Sequence, residues 1–437
     1  MFQVEKLGGN KVKYALVGYG ISNRNLARYL SSWGHEIFVS EMRALSNVEK
    51  QEILDLNGSY EENGNTMAIA DSDAVVVSPS IRPDHPIIQT IPRSKIFTDI
   101  DIIMKKRKPK HVIGITGTNG KTTVSKMMAH VLSSLGKKAI ACGNIGQPAS
   151  VIFDAPDLEF AILELSSFQL FWAQNLPIDI GLILNIRPDH LDWHPSFEHY
   201  AACKSRILAM SKTVLYNRND PETRKRAEAF CDAEPFTNTD SLRLEITQLN
   251  RNWTKSIQNV ENIAAVTAVC EKLGISAQKA LRTLKSFEAP FHRMQPVAEI
   301  NGITYIDDSK ATNASAVIAA LKNFSKNKVI LILGGHGKNE DYGELLREAQ
   351  KVVKRIVVFG EMKKHIFPIA KSMRVPCNKA ENMEEAVLRA HSVAVPGDTV
   401  LLSPAGSSFD LYENYAQRGN HFQKVVESLK QEAKRFA

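Results

Sequence analysis

Short apolar segments alternate with amphipathic stretches along the first 95 residues of the chain. The apolar runs at 14–17 and 74–77 and the segment 36–40 predict strands, and residues 25–33 predict a helix that follows a glycine-containing turn. The order strand, glycine turn, helix, strand is typical of a parallel sheet with crossover helices. We therefore predict an α/β unit at the N-terminal end.

The clearest helical periodicity lies just after residue 120. Apolar side chains recur there every three or four positions, which predicts an amphipathic helix over about 121–135 that ends at Gly136. They are Val124, Met127, Met128, Val131, Leu132 and Leu135. Strands are predicted around this helix at 111–116, 160–165 and 178–185, and a second helix at 261–273.

The rest of the chain repeats the alternation. Strands are predicted at 303–306, 329–333, 356–359 and 399–402, with helical segments between them. A length of 437 residues fits roughly three domains of about 150 residues each. We predict an α/β protein of three domains with clefts between them, where small-molecule sites usually lie. The predicted domains are 1–95, 96–290 and 291–437.

Composition excludes some classes of function. The chain carries 55 basic and 47 acidic side chains, a net charge of +8, and only 7% aromatic residues. The positive charge forms no stripe, so no nucleic-acid partner is expected. No run of about 18 apolar residues occurs, so we expect no transmembrane helix and no membrane partner. The N-terminus lacks the pattern of a signal peptide, which favours a cytoplasmic protein.

The cysteines give no sign of a disulfide framework or of a thiolate metal site. They are odd in number, widely spaced and free of any CxxC pair. They are Cys142, Cys203, Cys231, Cys270 and Cys377. We predict that they are packing residues.

The strongest chemical signal is the segment GITGTNGKTT at 114–123, between a predicted strand and the amphipathic helix. In a phosphate-binding loop, glycines let backbone N–H groups approach phosphate oxygens, a lysine reaches the β- and γ-phosphates, and a hydroxyl ligates Mg²⁺. Lys121 and Thr122 stand at these positions, although Ile115 replaces a glycine of the general pattern. The alternative, an ordinary glycine turn, leaves the GKTT sequence unexplained. We predict a P-loop ATPase-type parallel sheet in the central domain and Rossmann-like folds on either side.

Two further polar sites follow predicted strands of the central domain. Glu164 lies in an apolar run, where a carboxylate needs either a cation or a salt bridge to be buried. The segment NIRPDHLDWH at 185–194 starts where a strand ends, at the sheet edge where open α/β folds bind ligands. Its His190 could ligate a metal, orient a phosphate or be structural. Lys204 in the next predicted helix, taken alone, favours a solvated helix face.

The outer domains offer polar turns of their own. In the last domain, DDSKATN (307–313), GGHGK (334–338) and SPAGSSFD (403–410) each follow a predicted strand and could converge on one ligand. In the first, GYGISN (18–23) begins like a dinucleotide fingerprint but has Asn23 in place of the third glycine. This degenerate form is weak evidence for a dinucleotide and better evidence for another phosphate-bearing ligand.

These residues together indicate an enzyme that uses ATP and Mg²⁺ to join two substrates held by the outer domains. Activation of a carboxylate as an acyl phosphate, followed by attack of an amine, fits this arrangement. A nicotinamide dehydrogenase would use the GYG turn but would leave Lys121 unexplained. A P-loop regulatory switch would explain Lys121 but not the DDSKATN segment.

The motifs resemble those of the Mur ligase family of peptidoglycan synthesis, in order and over essentially the whole chain. They are GTNGKTT (117–123), LELSSFQL (163–170), NIRPDHLDWH (185–194), FHRM (291–294) and DDSKATN (307–313). LELSSFQL, DSKATN and LSPAGSSFD are most similar to the family member that adds D-glutamate. The resemblance implies UDP-N-acetylmuramoyl-L-alanine and D-glutamate as substrates, ATP and two Mg²⁺ ions as cofactors, and a monomer. A sibling ligase, or one similar to folylpolyglutamate synthase, is the alternative.

The resemblance also implies roles for individual residues. Lys204 is implied to be carbamylated and to serve a second Mg²⁺ together with His190, while Glu164 serves the first. The implied catalytic residues are Lys121, Asn144, His190 and Lys204, and the implied metal ligands are Thr122, Glu164, His190 and carbamylated Lys204. The implied ATP-binding residues are Gly117, Thr118, Asn119, Gly120, Lys121, Thr122, Thr123, Asn259, Asn262, Arg293, Asp308 and Lys310.

The implied substrate sites depart from the family pattern at several positions. Ser40 stands where an aspartate is common and Ser80 where a glycine is usual, so the exact uridine contacts stay open. Tyr415 stands where phenylalanine is common among the implied D-glutamate residues. The implied UDP-sugar residues are Gly18, Gly20, Ser22, Ser40, Ser78, Asn144 and Ser166. The implied D-glutamate residues are Thr312, Lys338, Ser408 and Tyr415.

Overall fold

Three β-sheets with helices packed against them follow one another along the chain. The computed structural model describes residues 11–230, 232–249, 254, 256–337 and 340–436. The architecture confirms the predicted α/β class with three parallel-sheet domains. Among the described helices, none combines the length and the apolar composition needed to cross a bilayer.

The N-terminal sheet consists of parallel strands. Its strands are β1 (Lys13–Val17), β2 (Glu36–Ser40), β3 (Ser59–Glu61), β4 (Ala74–Val77) and β5 (Ile96–Phe97), in the order β3-β2-β1-β4-β5. Its helices are α1 (Ile21–Ser32), α2 (Asn47–Asp55), α3 (Pro86–Thr90) and α4 (Asp99–Lys106). Because β5 pairs with β4, this sheet continues two residues past the boundary predicted at residue 95.

The central sheet is also parallel, and its order is β11-β10-β9-β6-β8-β7. Its strands are β6 (His111–Thr116), β7 (Ala139–Gly143), β8 (Phe160–Glu164), β9 (Ile178–Ile183), β10 (Ser211–Asn217) and β11 (Ala233–Phe236). Its helices are α5 (Lys121–Ser134), α6 (Ser167–Trp172), α7 (Phe197–Met210), α8 (Pro221–Ala227), α9 (Asp240–Thr247), α10 (Ile257–Lys272) and α11 (Ala277–Leu284). The predicted apolar stripe of α5 is buried from Val124 to Leu132, so this stripe is its core face.

The C-terminal sheet has one antiparallel edge strand. Its strands are β12 (Gln295–Ile300), β13 (Ile303–Asp307), β14 (Val329–Gly334), β15 (Val353–Phe359), β16 (Cys377–Lys379) and β17 (Thr399–Ala405), in the order β12-β13-β17-β14-β15-β16. Its helices are α12 (Ala314–Leu321), α13 (Tyr342–Val352), α14 (Lys363–Ser372), α15 (Met383–Val393) and α16 (Tyr415–Phe436). Only β12, among the described strands, pairs antiparallel, with β13.

The NIRPDHLDWH segment lies where the three domains meet. On one side, the Trp193 indole donates a hydrogen bond to the Ser80 carbonyl of the N-terminal domain, at 3.2 Å. On the other side, Asn313 of the C-terminal domain donates to the buried Asp189 carboxylate, at 2.9 Å. A single segment of the central domain therefore contacts both outer domains.

The polar turns of the C-terminal domain are held together by a buried arginine. Arg418 on α16 is fully buried, and its guanidinium donates to Ser309 and to the carbonyls of Gly406 and Gly334. Ser309 and Gly406 lie in the turns after β13 and β17, and Gly334 is the last residue of β14. Arg418 therefore brings the three segments close together, while their predicted convergence on one ligand stays a prediction.

Candidate active site

The phosphate-loop segment begins at the carboxyl end of β6. Ile115 is fully buried inside this strand, so the loop starts at Gly117, and the strand has no need of a glycine at position 115. The Thr118 N–H donates to the Asn185 carbonyl at 2.8 Å, and the Asn119 N–H donates to the Asn185 side-chain oxygen at 2.8 Å. Asn185, the first residue of NIRPDHLDWH, therefore fixes the shape of the loop.

Asn262, one of the residues implied to bind ATP, lies against the same loop. Gly120 has φ of +89°, and a Cβ there would stand 2.6 Å from the Asn262 side-chain oxygen. Asn262 is buried, and its amide donates to the Asn259 side-chain oxygen at 3.2 Å. Only a residue without a side chain lets α10 approach this closely. Thr123 is buried in the first turn of α5, while Thr122 is partly accessible.

Two lysine ammonium groups meet at one backbone oxygen of this loop. Lys121 Nζ and Lys204 Nζ each donate to the Gly117 carbonyl, both at 2.8 Å. Burial lowers the pKa of Lys121, and burial together with the charge of Lys121 lowers the pKa of Lys204 well below its usual range. The expectation of a solvated helix face for Lys204 is wrong, because this side chain is fully buried above the Tyr200 ring. Burial therefore favours the neutral form of the Lys204 amine.

Glu164, at the carboxyl end of strand β8, has a buried carboxylate oxygen. The Glu164 Oε1 accepts a hydrogen bond from the Asn144 amide at 2.9 Å, while its Oε2 has no hydrogen-bond partner among the described residues. The neighbouring Gly143 lies so close to the backbone of Glu164 that a Cβ there would stand 2.5 Å from the Glu164 carbonyl oxygen. A desolvated carboxylate oxygen in this state is costly, and a bound cation would satisfy it.

His190 has an unusual backbone conformation beside these groups. Its φ is +55°, in the left-handed region that residues with a side chain seldom adopt. Its Nε2 stands 3.6 Å from Oδ2 of the buried Asp189, and its ring packs edge-on against Phe168. The strained turn directs the imidazole toward Asp189, which in turn contacts the C-terminal domain through Asn313. Backbone strain of this kind is often found at functional positions.

A cavity of about 450 Å³ opens between the phosphate loop and the C-terminal domain. Thr122, Arg293, Lys310 and Tyr415 line it. Burial, followed by the charge of Arg293, lowers the pKa of Lys310 to about 8, and its ammonium lies 4.0 Å above the Tyr415 ring. In the part of the chain that the structure describes, the buried Nε of Arg293 has no hydrogen-bond partner. A cavity lined by desolvated cations is suited to a polyphosphate.

Asp308 is a buried acid at the rim of this region. It accepts hydrogen bonds from the Ser403 hydroxyl at 2.8 Å and from the Met294 N–H at 3.1 Å. Burial nevertheless raises its pKa to about 7. The unliganded protein therefore holds this carboxyl protonated over much of the acidic range.

Replacing Asp308 with asparagine should stabilise the unliganded protein at alkaline pH. The folded-state pKa of about 7 lies above the ordinary value of 3.8, so the wild-type protein loses stability as the pH rises from 4 through 7. The asparagine variant should escape this loss, and its advantage should grow to at most about 4 kcal/mol at pH 8. Urea unfolding of both proteins at pH 4 to 8 measures the difference. An advantage that does not change with pH would contradict the argument.

The structure describes three of the four predicted D-glutamate residues, all in the C-terminal domain. Ser408 is buried, Thr312 is partly accessible between β13 and α12, and Tyr415 begins α16 with its carbonyl accepting a hydrogen bond from Ser309. Lys338, the cation predicted for this pocket, lies outside the described residues.

The predicted UDP-sugar residues of the N-terminal domain gather at the carboxyl ends of β1, β2 and β4. The Gly18 N–H donates to the Ser40 carbonyl at 2.8 Å, and the Ser78 N–H donates to the Val17 carbonyl at 2.8 Å. The Ser40 hydroxyl is already engaged, because it donates to Glu61 and accepts from Asn65. The structure thus brings Gly18, Ser40 and Ser78 together.

The missing third glycine has a structural explanation. The Asn23 amide donates to the Gly18 carbonyl at 2.8 Å and ties α1 to the glycine turn. Glu41, near the position of the ribose-binding acid of dinucleotide folds, accepts a hydrogen bond from the Tyr19 N–H at 2.7 Å. Glu41 therefore holds the turn itself, which argues against a dinucleotide.

Three more of the predicted UDP-sugar residues lie at helix starts. Gly20 precedes the first residue of α1, and Ser22 lies in its first turn, where it interacts with Asp99 at the start of α4. Ser166 caps α6, since its hydroxyl accepts a hydrogen bond from the Gln169 N–H. Ser166 follows β8 closely, so it lies near Glu164, whereas Gly20 and Ser22 are at the N-terminal sheet.

Comparison with known proteins assigns the chain to a family. Residues 13–87 match the MurD N-terminal domain, residues 115–270 the Mur ligase middle domain, and residues 292–406 the Mur ligase, glutamate ligase domain. A UDP-N-acetylmuramoylalanine–D-glutamate ligase of Pseudothermotoga lettingae is 43% identical over 95% of this chain and 98% of its own length. The chain belongs to the Mur ligase family. A ligase of the same name from Fervidobacterium nodosum is 38% identical over 96% of this chain and 100% of its own.

Solved structures of other Mur ligases share the fold. The pseudomurein peptide ligase type C of Methanothermus fervidus has a TM-score of 0.59 at 18% identity, covering 96% of this Mur ligase and 100% of that chain. The MurF ligase of Thermotoga maritima in complex with ADP has a TM-score of 0.58 at 17% identity, covering 92% and 96%. These likenesses support the three-domain architecture.

Two side chains of this Mur ligase have roles that the sequence reasoning did not assign. The Tyr200 hydroxyl lies 2.9 Å from Thr118 Oγ1, and its ring lies beneath Lys204. Asp189 joins His190 to Asn313. The sequence did carry one usable signal, because Tyr200, Lys204, Ile207 and Leu208 fall on one helical stripe that is buried throughout. A lysine on an apolar stripe is a candidate for a buried amine.

Proposed function

We propose that this chain uses ATP to join D-glutamate to UDP-N-acetylmuramoyl-L-alanine, with release of ADP and phosphate, in the synthesis of peptidoglycan precursors. The observation that carries the proposal is the meeting of Lys121 and Lys204 at a phosphate loop, within the electrostatic influence of Glu164, in a chain similar over its length to D-glutamate ligases. In this proposal the N-terminal domain binds the UDP-sugar, the central domain ATP and the C-terminal domain D-glutamate.

The phosphate loop would bind and orient the nucleotide. Lys121 would exchange its contacts with the loop carbonyls for the transferring phosphoryl group, and Arg293 and Lys310 would contact the remaining phosphates. The acceptor carboxylate then attacks the γ-phosphorus as ADP leaves, and the amine of D-glutamate displaces phosphate from the acyl phosphate. Each of these cations is largely desolvated, which strengthens its attraction for the phosphates.

The donor set fits Mg²⁺. Glu164 Oε2 is buried without a hydrogen-bond partner from any residue that the structure describes, and hydroxyl and carboxylate oxygens are the ligands that this ion prefers. We infer that Thr122 and Glu164 hold one ion, and that His190 and a modified Lys204 hold a second. When bound, these ions would neutralise charge on the phosphates. Asn144 supports this site by fixing the orientation of the Glu164 carboxylate.

The modification of Lys204 that we propose is a carbamate. A neutral lysine amine can add CO₂, and burial beside Lys121 favours the neutral amine. The new carboxylate would be anionic, so Lys121 and a metal ion would stabilise it. The negative charge of Asp189 acts on Lys204 and opposes the lowering of its pKa. The surroundings of Lys204 are therefore not purely cationic.

The C-terminal turns would hold both carboxylates of D-glutamate. Ser408, Thr312 and Lys338 offer two hydroxyls and a cation, and Tyr415 closes the cavity near Lys310. With both carboxylates held, the configuration of the α-carbon decides whether the amine faces the acyl phosphate. Selection for the D-isomer then follows from geometry.

Replacing Ser408 with alanine should raise the KM for D-glutamate about ten- to a hundredfold. A hydrogen bond to a charged group is worth about 1.5–3 kcal/mol, and this hydroxyl is buried in the proposed pocket. Phosphate release from ATP, measured at varied concentrations of each substrate, gives the three KM values. The KM values for ATP and for the UDP-sugar should change little.

The neighbouring Ser407 provides a matched control. It contacts His336 through its backbone, which alanine preserves, so Ser407→Ala should behave like the wild type. Equal effects of the two variants on all three KM values would indicate a general disturbance of the turn. An unchanged KM for D-glutamate in Ser408→Ala would remove Ser408 from the site.

A further inference from the structure

Three metal-ligating side chains of the central domain form a cluster that the ligase reaction does not use. His194, the last residue of NIRPDHLDWH, faces His199 and Cys203 on α7, and one nitrogen or sulfur atom of each lies within 4.8 Å of the others. His199 and Cys203 are four residues apart, so they share one face of the helix. His194 and Cys203 are buried, and His199 is partly accessible.

The distances are close to those of a tetrahedral metal site. His194 Nδ1 lies 2.9 Å from His199 Nδ1, and Cys203 Sγ lies 3.8 Å from the same nitrogen. With bonds of about 2.0–2.1 Å to nitrogen and about 2.3 Å to sulfur, a tetrahedral Zn²⁺ would separate these pairs by roughly 3.3 and 3.5 Å. Shifts of a few tenths of an ångström would therefore bring the ligands into place.

The surroundings of His194 also suit metal binding. Its Nε2 lies 2.9 Å from the hydroxyl of Ser167, which is itself buried. If Nε2 carries the proton and donates it to this hydroxyl, Nδ1 presents a lone pair toward His199 and Cys203. A ligating imidazole usually has such a partner on its other nitrogen, since this partner fixes both tautomer and ring orientation.

We propose that His194, His199 and Cys203 form a binding site for a divalent transition metal, with Zn²⁺ as the preferred ion. Two imidazoles and a thiolate favour Zn²⁺ over Mg²⁺, which takes oxygen ligands. Three protein ligands leave one tetrahedral position for water, on the accessible side of His199. Binding releases the Cys203 thiol proton to solvent.

The site would link two parts of the proposed active site. His194 ends the segment that carries His190, and Cys203 is the neighbour of Lys204 on α7. A metal ion would therefore tie this segment to the helix. Because only the folded protein presents the three ligands together, binding should raise Tm.

Cobalt(II) tests the proposal, because a thiolate ligand gives it a charge-transfer absorption band in the near ultraviolet. The full chain, reduced with a phosphine and held in excess Mg²⁺, is titrated with Co²⁺. One equivalent should produce this band, and one equivalent of Zn²⁺ should remove it. The proposed Mg²⁺ ligands include no sulfur, so Co²⁺ bound there cannot produce the band. Its absence from the wild type would overturn the proposal.

Variants identify the ligands. Cys203→Ser should abolish the band, and Cys377→Ser, which removes a partly accessible cysteine of the C-terminal domain, should retain it. His199→Gln changes a partly accessible residue, and it should weaken Co²⁺ binding more than about 100-fold, since loss of an outer-shell partner alone costs 10- to 100-fold. An unchanged Tm of this variant without metal would show that its fold is intact. A band that persists in Cys203→Ser, or unchanged affinity in His199→Gln, would overturn the assignment.

Discussion

Replacing Lys121 with alanine is expected to lower kcat by more than about 100-fold. The ammonium group is desolvated at the start of α5 and donates to two carbonyls of the phosphate loop. Removal of one main electrostatic group from such a site typically costs 10²- to 10³-fold. Single-turnover formation of ADP, followed in the wild type and the variant, measures the effect on phosphoryl transfer.

The folded state should tolerate this change. Lys121 and Lys204 compete for the Gly117 carbonyl, so loss of one buried charge should not lower Tm. Lys137→Ala, just beyond the other end of the same helix, is the control, because Lys137 is exposed and its one ion pair with a described residue is with Glu159, at 3.6 Å. Near-normal turnover in Lys121→Ala would exclude the proposed role.

Replacing Lys204 with alanine should abolish turnover, and acetate or formate should partly restore it. If the working group is a carbamate, a small carboxylate in the space left by the side chain can replace its charge. The fully buried site leaves such a space and desolvates the added anion beside Lys121. Turnover measured against carboxylate concentration should therefore rise and saturate.

The variant Lys204→Arg distinguishes a requirement for a carbamate from a requirement for a positive charge. Arginine keeps the positive charge near the Gly117 carbonyl but cannot add CO₂ under these conditions, so this variant should also be inactive. Activity in Lys204→Arg would show that a cation is sufficient. Failure of every small carboxylate to restore Lys204→Ala, in a variant that still binds ATP, would argue against the carbamate.

The sequence predicted the bounds of helices and strands best where their apolar residues are buried in the core. The stripe of α5 and the fully buried strand β4 were predicted almost to the residue, because their apolar patterns reflect burial directly. The short strands β3, β5 and β16 were missed, since three residues or fewer carry too little periodicity. The boundary predicted at residue 95 falls short of the sheet for the same reason, because β5 is such a strand. The longer strands β7, β10, β11 and β12 were also not predicted.

Contacts between residues distant in sequence limited the prediction of the candidate site. The phosphate loop is local in sequence and could be predicted, whereas the meeting of Lys204 with Gly117 depends on how α7 packs on the sheet. Charge type alone placed Lys204 on a solvated face, although its neighbours on the helical stripe are apolar. The cluster of His194, His199 and Cys203 was also missed, because a search for CxxC pairs does not detect a histidine four residues before a cysteine on one helix.

The choice of amino-acid substrate tests the central claim most directly. The enzyme is incubated with ATP, Mg²⁺ and UDP-N-acetylmuramoyl-L-alanine, and D-glutamate, L-glutamate, L-lysine or meso-diaminopimelate is added in turn. Mass spectrometry identifies the nucleotide product of each reaction. We expect the product extended by one glutamate with the D-isomer, together with ADP, and far slower reaction with the other three. A preference for L-lysine or diaminopimelate would contradict the proposed substrate while leaving the ligase chemistry intact.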